Sequence, residues 1–154
     1  MHITLISVGK LKNGPEKDLV DDYASRFSKA GPGLGFRSIK LIDVANGGGL
    51  DAEGERILVK IPQGAVVLRL DEFGEQFTSK AFAKRLSKLR DQGTPELCFL
   101  IGGAEGYSDS VRANCPHTIA LGPQTWPHRF VKVMITEQLY RAASILGGLP
   151  YHKA

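Results

Sequence analysis

Apolar and polar positions along this chain switch repeatedly between a period of two and a period near 3.6, and the switching outlines a fold. His2–Val8 is a short β-branched run of strand length, and Pro15–Lys29 then sets Leu19, Val20, Tyr23, Ala24 and Phe27 at helical spacing. Phe36–Val44 alternates like a strand. Asp51–Ile61 reads as a helix ended by Pro62, which cannot continue it. Ala65–Leu70 predicts a strand, and Ser79–Gln92 a helix capped by Ser79 and stopped by Gly93. Leu97–Ile101 is a wholly apolar strand, Ser108–Asn114 a short helix, His117–Leu121 a short strand, and Arg129–Leu146 a long helix closed by Gly147 and Gly148. Strands alternating with helices predict an α/β domain with a parallel sheet covered on both faces, and ligands in such folds bind beyond the carboxyl ends of the strands. Three late strands run there into distinctive loops: Asp71–Gly74, Gly102–Gly106 and Gly122–His128.

Composition narrows the class. A chain of 154 residues predicts one domain, residues 1–154, able to bury a core without disulfides or a structural metal. Its two cysteines make no framework and fit a reducing, cytoplasmic setting. No apolar run approaches the ~20 residues of a membrane span, and Met1–Thr4 shows neither a basic n-region nor a cleavage site. Membrane, secreted and fibrous classes are thereby excluded. A net charge of +4 favours a polyanionic partner, with Lys10, Lys12, Arg37, Lys40, Arg129, Lys132, Arg141 and Lys153 lacking evident counter-charges; an ordinary solvated surface accounts for them equally well. Eighteen glycines in 154 residues exceed the roughly 7% of an average protein, and they cluster. The clusters at Gly31–Gly35 and Gly47–Gly49 read as connectors, whereas Gly102, Gly103 and Gly106 follow a buried strand, where backbone must turn tightly or approach a ligand.

The chemistry the chain lacks is informative. There is no P-loop, no Gly-x-Gly-x-x-Gly after the first strand, and no metal-ligand spacing among His2, His117, His128 and His152. Cys98, inside an apolar run, reads as inert core. Trp126 in a Gly/Pro loop suits either the core or the cover of a flat ligand. Glu137 and Arg141 stand at i, i+4 and suffice as a helix pair. The last helix carries apolar residues over more than one face, which predicts a second subunit against it and hence a homodimer. Its tail, Pro150–Ala154, holds a Tyr-His pair unusual for a fraying end.

Val8-Gly9-Lys10-Leu11-Lys12, Leu70-Asp71-x-x-Gly74, Phe99-Leu100-Ile101-Gly102-Gly103-x-x-Gly106, Pro127-His128, Glu137-Gln138-Leu139-Tyr140-Arg141-Ala142 and Pro150-Tyr151-His152 together resemble the RlmH type of SPOUT methyltransferases, bacterial enzymes acting on a pseudouridine of large-subunit ribosomal RNA. The resemblance runs the whole length; Trp126 stands where Phe or Leu is commoner, and Lys132 where Arg is expected. It implies a C-terminal trefoil knot on the parallel sheet and a homodimer. It also implies S-adenosyl-L-methionine held by Leu70, Gly102, Gly103 and the loop Leu121, Gly122, Pro123, Gln124, Thr125 and Trp126. No metal or membrane is implied. The expected reaction is methylation of N3 of a pseudouridine in 23S rRNA, on the assembled 70S ribosome. The proton acceptor is sought at His128 or His152, with Arg129, Arg141 or Lys132 holding phosphate or a developing anion. Tyr151 and His152 of one subunit are expected near the donor pocket of the other. A SPOUT enzyme acting on a different RNA, or a non-catalytic RNA-binding module on the same fold, are the alternatives.

Overall fold

In the computed structural model, which describes residues 1–153, the chain runs β1 (His2–Val8), α1 (Pro15–Ala30), a 3-10 turn (Pro32–Leu34), β2 (Ser38–Val44) and α2 (Leu50–Leu58). It continues through β3 (Val66–Gln76), α3 (Ser79–Asp91), β4 (Glu96–Ile101), α4 (Asp109–Asn114), β5 (Thr118–Ala120) and α5 (His128–Leu146). All strand pairings are parallel, in the order β2-β1-β4-β3-β5. Helices α1, α3 and α5 pack together on one face, α2 and α4 on the other.

Side-chain alternation along the central strands divides the core in two. Ile3 and Leu5 of β1 and Leu97, Phe99 and Ile101 of β4 join Phe27, Phe82, Leu86, Ile135 and Leu139 beneath α1, α3 and α5. Ile6, Val8, Cys98 and Leu100 face Ile57 and Val111 beneath α2 and α4. Both layers are nearly solvent-free, which accounts for the unbroken apolar run at 97–101. Each such side chain contributes about 1.5–3 kcal/mol on burial. Helix α5 buries Thr136 and Ser144 as well, because their hydroxyls donate to the carbonyls of Lys132 (2.7 Å) and Tyr140 (3.0 Å) one turn back.

Several boundaries differ from the sequence reading, each for a local reason. The cap of α3 is Thr78, not Ser79: the Thr78 hydroxyl accepts from the Ala81 N–H at 3.1 Å, while Ser79 donates to Gln138 of α5 at 2.8 Å. Ser108 is the cap of α4 rather than its first residue. Helix α2 stops at Leu58, short of Ile61, as i→i+3 bonds from Lys60 and Ile61 tighten its end before Pro62. Strand β3 does not end at Leu70. Both Leu70 and Glu75 pair with Ile119, so Asp71–Gly74 loops out as a bulge and the strand resumes. Gly74 is required at this crossing: a Cβ there would lie 2.6 Å from the Ile119 carbonyl carbon and 2.7 Å from its nitrogen.

Candidate functional site

The carboxyl ends of β3, β4 and β5 enclose a cavity of about 290 Å3. Each wall has a different origin. The β3 bulge supplies Leu70, Asp71, Glu72 and Phe73; the turn after β4 supplies Gly102, Gly103, Ala104 and Gly106; the loop after β5 supplies Leu121, Gly122, Gln124, Thr125 and Trp126; and α5 closes it with His128 and Val131. Every predicted cofactor-binding residue except Pro123 lines this one space; Pro123 is in the same loop but off the wall.

Tyr107, which the sequence reading missed, ties the cavity together. Its hydroxyl accepts from the Gly102 N–H at 2.9 Å and lies 2.6 Å from the Leu100 carbonyl and 3.1 Å from that of Leu70. One buried phenol thus cross-links the ends of β3 and β4, and burial pushes its pKa up, so it remains a donor. No sequence motif announces such a hub, since only the pairing of β3 with β4 brings its partners together. Gly102 is confined from the same side, since a Cβ on it would lie 2.8 Å from the Gly106 carbonyl oxygen. Asp71 faces the cavity but is committed: its carboxylate holds the buried Arg69 at 3.2 Å, Arg112 at 3.6 Å and the Phe73 N–H at 3.1 Å. The Trp126 indole donates to the Leu121 carbonyl at 3.2 Å, and Trp126 is partly exposed at the cavity wall rather than in the core.

These walls fit a nucleoside-bearing cofactor. Leu70, Ile101, Ile119, Leu121 and Val131 make an apolar slot, and among the described residues the peptide groups of 122–125 make no backbone–backbone hydrogen bond. Such free peptide groups beside an apolar slot can read the edge of a flat ring. Cys98 contributes nothing: it is buried in the sheet, and burial pushes its thiol up to about 12. Among the described residues no group of three or more His, Cys, Asp or Glu side chains is placed to hold a metal ion, and no helix is long and apolar enough to cross a membrane.

The candidate catalytic residues fall into two groups. His128 opens α5 at the cavity wall, with Arg129 beside it, 3.6 Å from Glu16. Lys132, one turn on, is buried and bonded to Asp43, which also accepts from Ser7 at 2.8 Å. Lys132 is therefore no exposed phosphate anchor, since its charge is already answered. Arg141, Tyr151 and His152 lie at the other end of α5, about 20 Å along the axis at 1.5 Å per residue. There they form one network. The Arg141 Nε donates to Glu137 at 2.9 Å, Tyr151 donates to the same carboxylate oxygen at 2.8 Å, and Arg141 Nη1 is 3.3 Å from His152 Nδ1. The Tyr140 and Tyr151 ring centroids are 4.7 Å apart, with the planes tilted by 54°. Tyr151 and His152 are thus docked, not frayed, while Ala154 lies outside the described residues. Burial and the bonds to Tyr23 and Glu137 push the Tyr151 phenol up, so it too is a donor. Among the described residues, His152 Nε2 is buried with no hydrogen-bond partner. One protomer does not bring the tail to its own donor-side cavity.

Against known proteins, the chain matches over residues 1–152 the family described as predicted SPOUT methyltransferases. It belongs to the SPOUT methyltransferase family. It is similar to proteins named ribosomal RNA large subunit methyltransferase H: 58% identical to that of Hyphomonas neptunium over the full length of both chains, and 44% to that of Dinoroseobacter shibae over 99% of each. Among solved structures, a putative methyltransferase of Legionella pneumophila with bound S-adenosylmethionine aligns over 90% of this chain and 65% of its own, at 12% identity and a TM-score of 0.47. A SPOUT fold suits the loop-built cavity, because its walls come from three separate strand exits and not from one glycine motif.

Proposed function

We propose that this chain is an S-adenosyl-L-methionine-dependent methyltransferase that methylates N3 of a pseudouridine in 23S rRNA on the assembled 70S ribosome, working as a cytoplasmic homodimer. The observation that carries the reading is the end-to-end similarity to proteins named ribosomal RNA large subunit methyltransferase H, at 58% identity over 154 residues in one case. The cavity built from the three strand exits is consistent with it. When bound, the cofactor would supply the methyl group of its sulfonium, which leaves as a thioether, so the chain's own task is to orient N3 and accept its imide proton. Leu70, Gly102, Gly103 and residues 121–126 would hold the cofactor. His128, on that wall, would take the N3 proton directly or through one water.

Dimerisation is supported by α5. Val133 and Met134 are only partly covered, and with Leu19, Tyr23, Phe77 and Phe82 they line an apolar groove of about 380 Å3 beside the tail network. A second copy on this groove would carry its Tyr151 and His152 to the first copy's cavity, answering both the distance along α5 and the orphaned His152 nitrogen. The knot is a further inference from family membership, and the loop 121–127 packed over the β3 and β4 exits is where it would close. Tritiated methyl transfer tests the activity: label should enter 70S ribosomes lacking the modification, and not a tRNA pool. Removing residues 151–154 should abolish transfer while calorimetric S-adenosylmethionine binding survives. Full activity after removal overturns the role of the tail.

A further inference from the structure

A second cavity, of about 660 Å3, opens at the carboxyl ends of β1 and β2 and shares two wall residues with the first, Ile101 and His128. Its place in the fold is distinctive. Strand β1 connects leftward to β2 through α1, whereas its neighbour β4 connects rightward past β3 to β5, so the crevice between β1 and β4 is the switch point of this sheet, where open α/β folds take ligands. The first cavity lies beyond β3, β4 and β5, and the larger one beyond β1, with Ile101 at the end of β4 and Asn46 after β2 on its wall.

We propose that this larger cavity is the acceptor site, holding one nucleotide of RNA drawn out of its stack, base inward and phosphates at the rim. The proposal rests on the methyltransferase reading and extends it to the substrate. The walls sort by depth. Lys10, Lys12 and Arg129 stand exposed at the rim, and Lys10 and Lys12 make no ion pair among the described residues. Cations left without counter-charges on one lip are what a phosphodiester requires, and they add no sequence preference. Deeper, Ser7 and Lys132 are almost solvent-free and are both fixed on Asp43. An ammonium has three donors, and Asp43 takes one, so Lys132 can present another to a carbonyl oxygen of the base while its charge remains compensated. Asn46, on the wall, carries both a donor and an acceptor and suits the amide edge of a uracil ring. Duplex or stacked RNA could not deliver a base to this depth, hence the extruded nucleotide. The shared wall at Ile101 and His128 then sets the base beside the cofactor-side cavity, as transfer between atoms about 3–3.5 Å apart requires. Asp43 acts here as a positioning residue, and only Lys132, Ser7, Asn46 and His128 would touch the base.

Full-length Lys10→Ala/Lys12→Ala protein, with unmethylated 70S ribosomes as the probe, tests the rim. Its KM for ribosomes should rise tenfold or more, with calorimetric S-adenosylmethionine affinity unchanged. The slope of log ribosome affinity against log salt should fall by roughly 1.4, the value for two lost contacts to single-stranded phosphate. An unchanged KM and slope overturn the proposal. Asn46→Ala, on an exposed loop, tests the interior without threatening the fold: kcat/KM for ribosomes should drop severalfold, and a wild-type value overturns the base-inward arrangement. Lys132→Met should lower kcat far more than it raises KM, with partial recovery in Lys132→Arg; equal loss in both variants would mark Lys132 as merely structural and remove it from the site. If the wild-type protein binds cofactor and ribosomes but transfers no methyl group, the functional reading fails. The salt slopes, measured by binding alone, still decide the pocket.

Discussion

Tyr107 shows how much one side chain can determine at the scale of the residue. Its hydroxyl meets Gly102 N–H and the Leu100 and Leu70 carbonyls in the buried interior. Tyr107→Phe leaves those backbone groups short of a partner, and the expected cost is about 1–3 kcal/mol, read as a lowered urea midpoint at unchanged m. S-adenosylmethionine affinity should fall with it, because Gly102 is on the cavity wall. The two raised phenols give a second test. For Tyr107 and Tyr151 the folded pKa exceeds the ordinary value near 10, so their contribution to stability is full below about pH 10 and is lost only as pH rises through the folded value. Titration of the protein's 4 tyrosines by absorbance at alkaline pH should show the buried Tyr107 ionising only when the chain unfolds. Ionisation of all four in the native state near pH 10 would contradict the burial of Tyr107.

At the scale of the element, β3 and α5 depart most from what periodicity predicts. The mostly apolar run Ala65–Leu70 located the strand, but the bulge and the continuation to Gln76 depend on β5 crossing at Gly74. Gly74→Ala should therefore disturb β3–β5 pairing and the cavity beside it; loss of cofactor binding greater than loss of thermal stability is the expected pattern, by calorimetry and thermal melting. Helix α5 was legible in length and in its surplus of apolar residues. Their allocation was not: Ile135, Leu139, Ala142 and Ala143 fill the core, while Val133 and Met134 remain on the groove. Leu139→Ala, fully buried, should cost about 2–5 kcal/mol in chemical denaturation. Met134→Glu leaves the protomer's own core intact and should cost only the stability contributed by dimerisation, a loss that varies with protein concentration. Both positions look alike in the sequence, because a helix apolar on several sides does not say which side its own protomer covers.

For the whole molecule, the same Met134→Glu variant measures assembly. In sedimentation velocity the wild-type chain should run as a dimer and the variant as a monomer, and methyl transfer should fall with dimer content. A monomeric wild type that transfers methyl groups at full rate would overturn the dimer and the trans role of Tyr151 and His152. The two-sided sheet and the order of its elements could be anticipated from the chain, and all but one of the residues expected to hold the cofactor line one cavity, but Tyr107 on its wall could not be anticipated. The split of the catalytic candidates could not, since residues 128 and 141 sit on one helix and only its axial rise separates them.

The alternation of short apolar runs with amphipathic segments determined the α/β class, because burying those faces leaves a two-sided parallel sheet as the available packing. The glycines after β4 likewise marked the loop where backbone had to turn closely. Tertiary structure decided the rest. It paired Lys132 with Asp43 across 89 residues, placed Tyr107 between two strand ends, folded Asp71–Gly74 outward, and docked the tail on Glu137. Each depends on which distant segments become neighbours in the sheet, and hydrophobic period, a local property, carries no record of that.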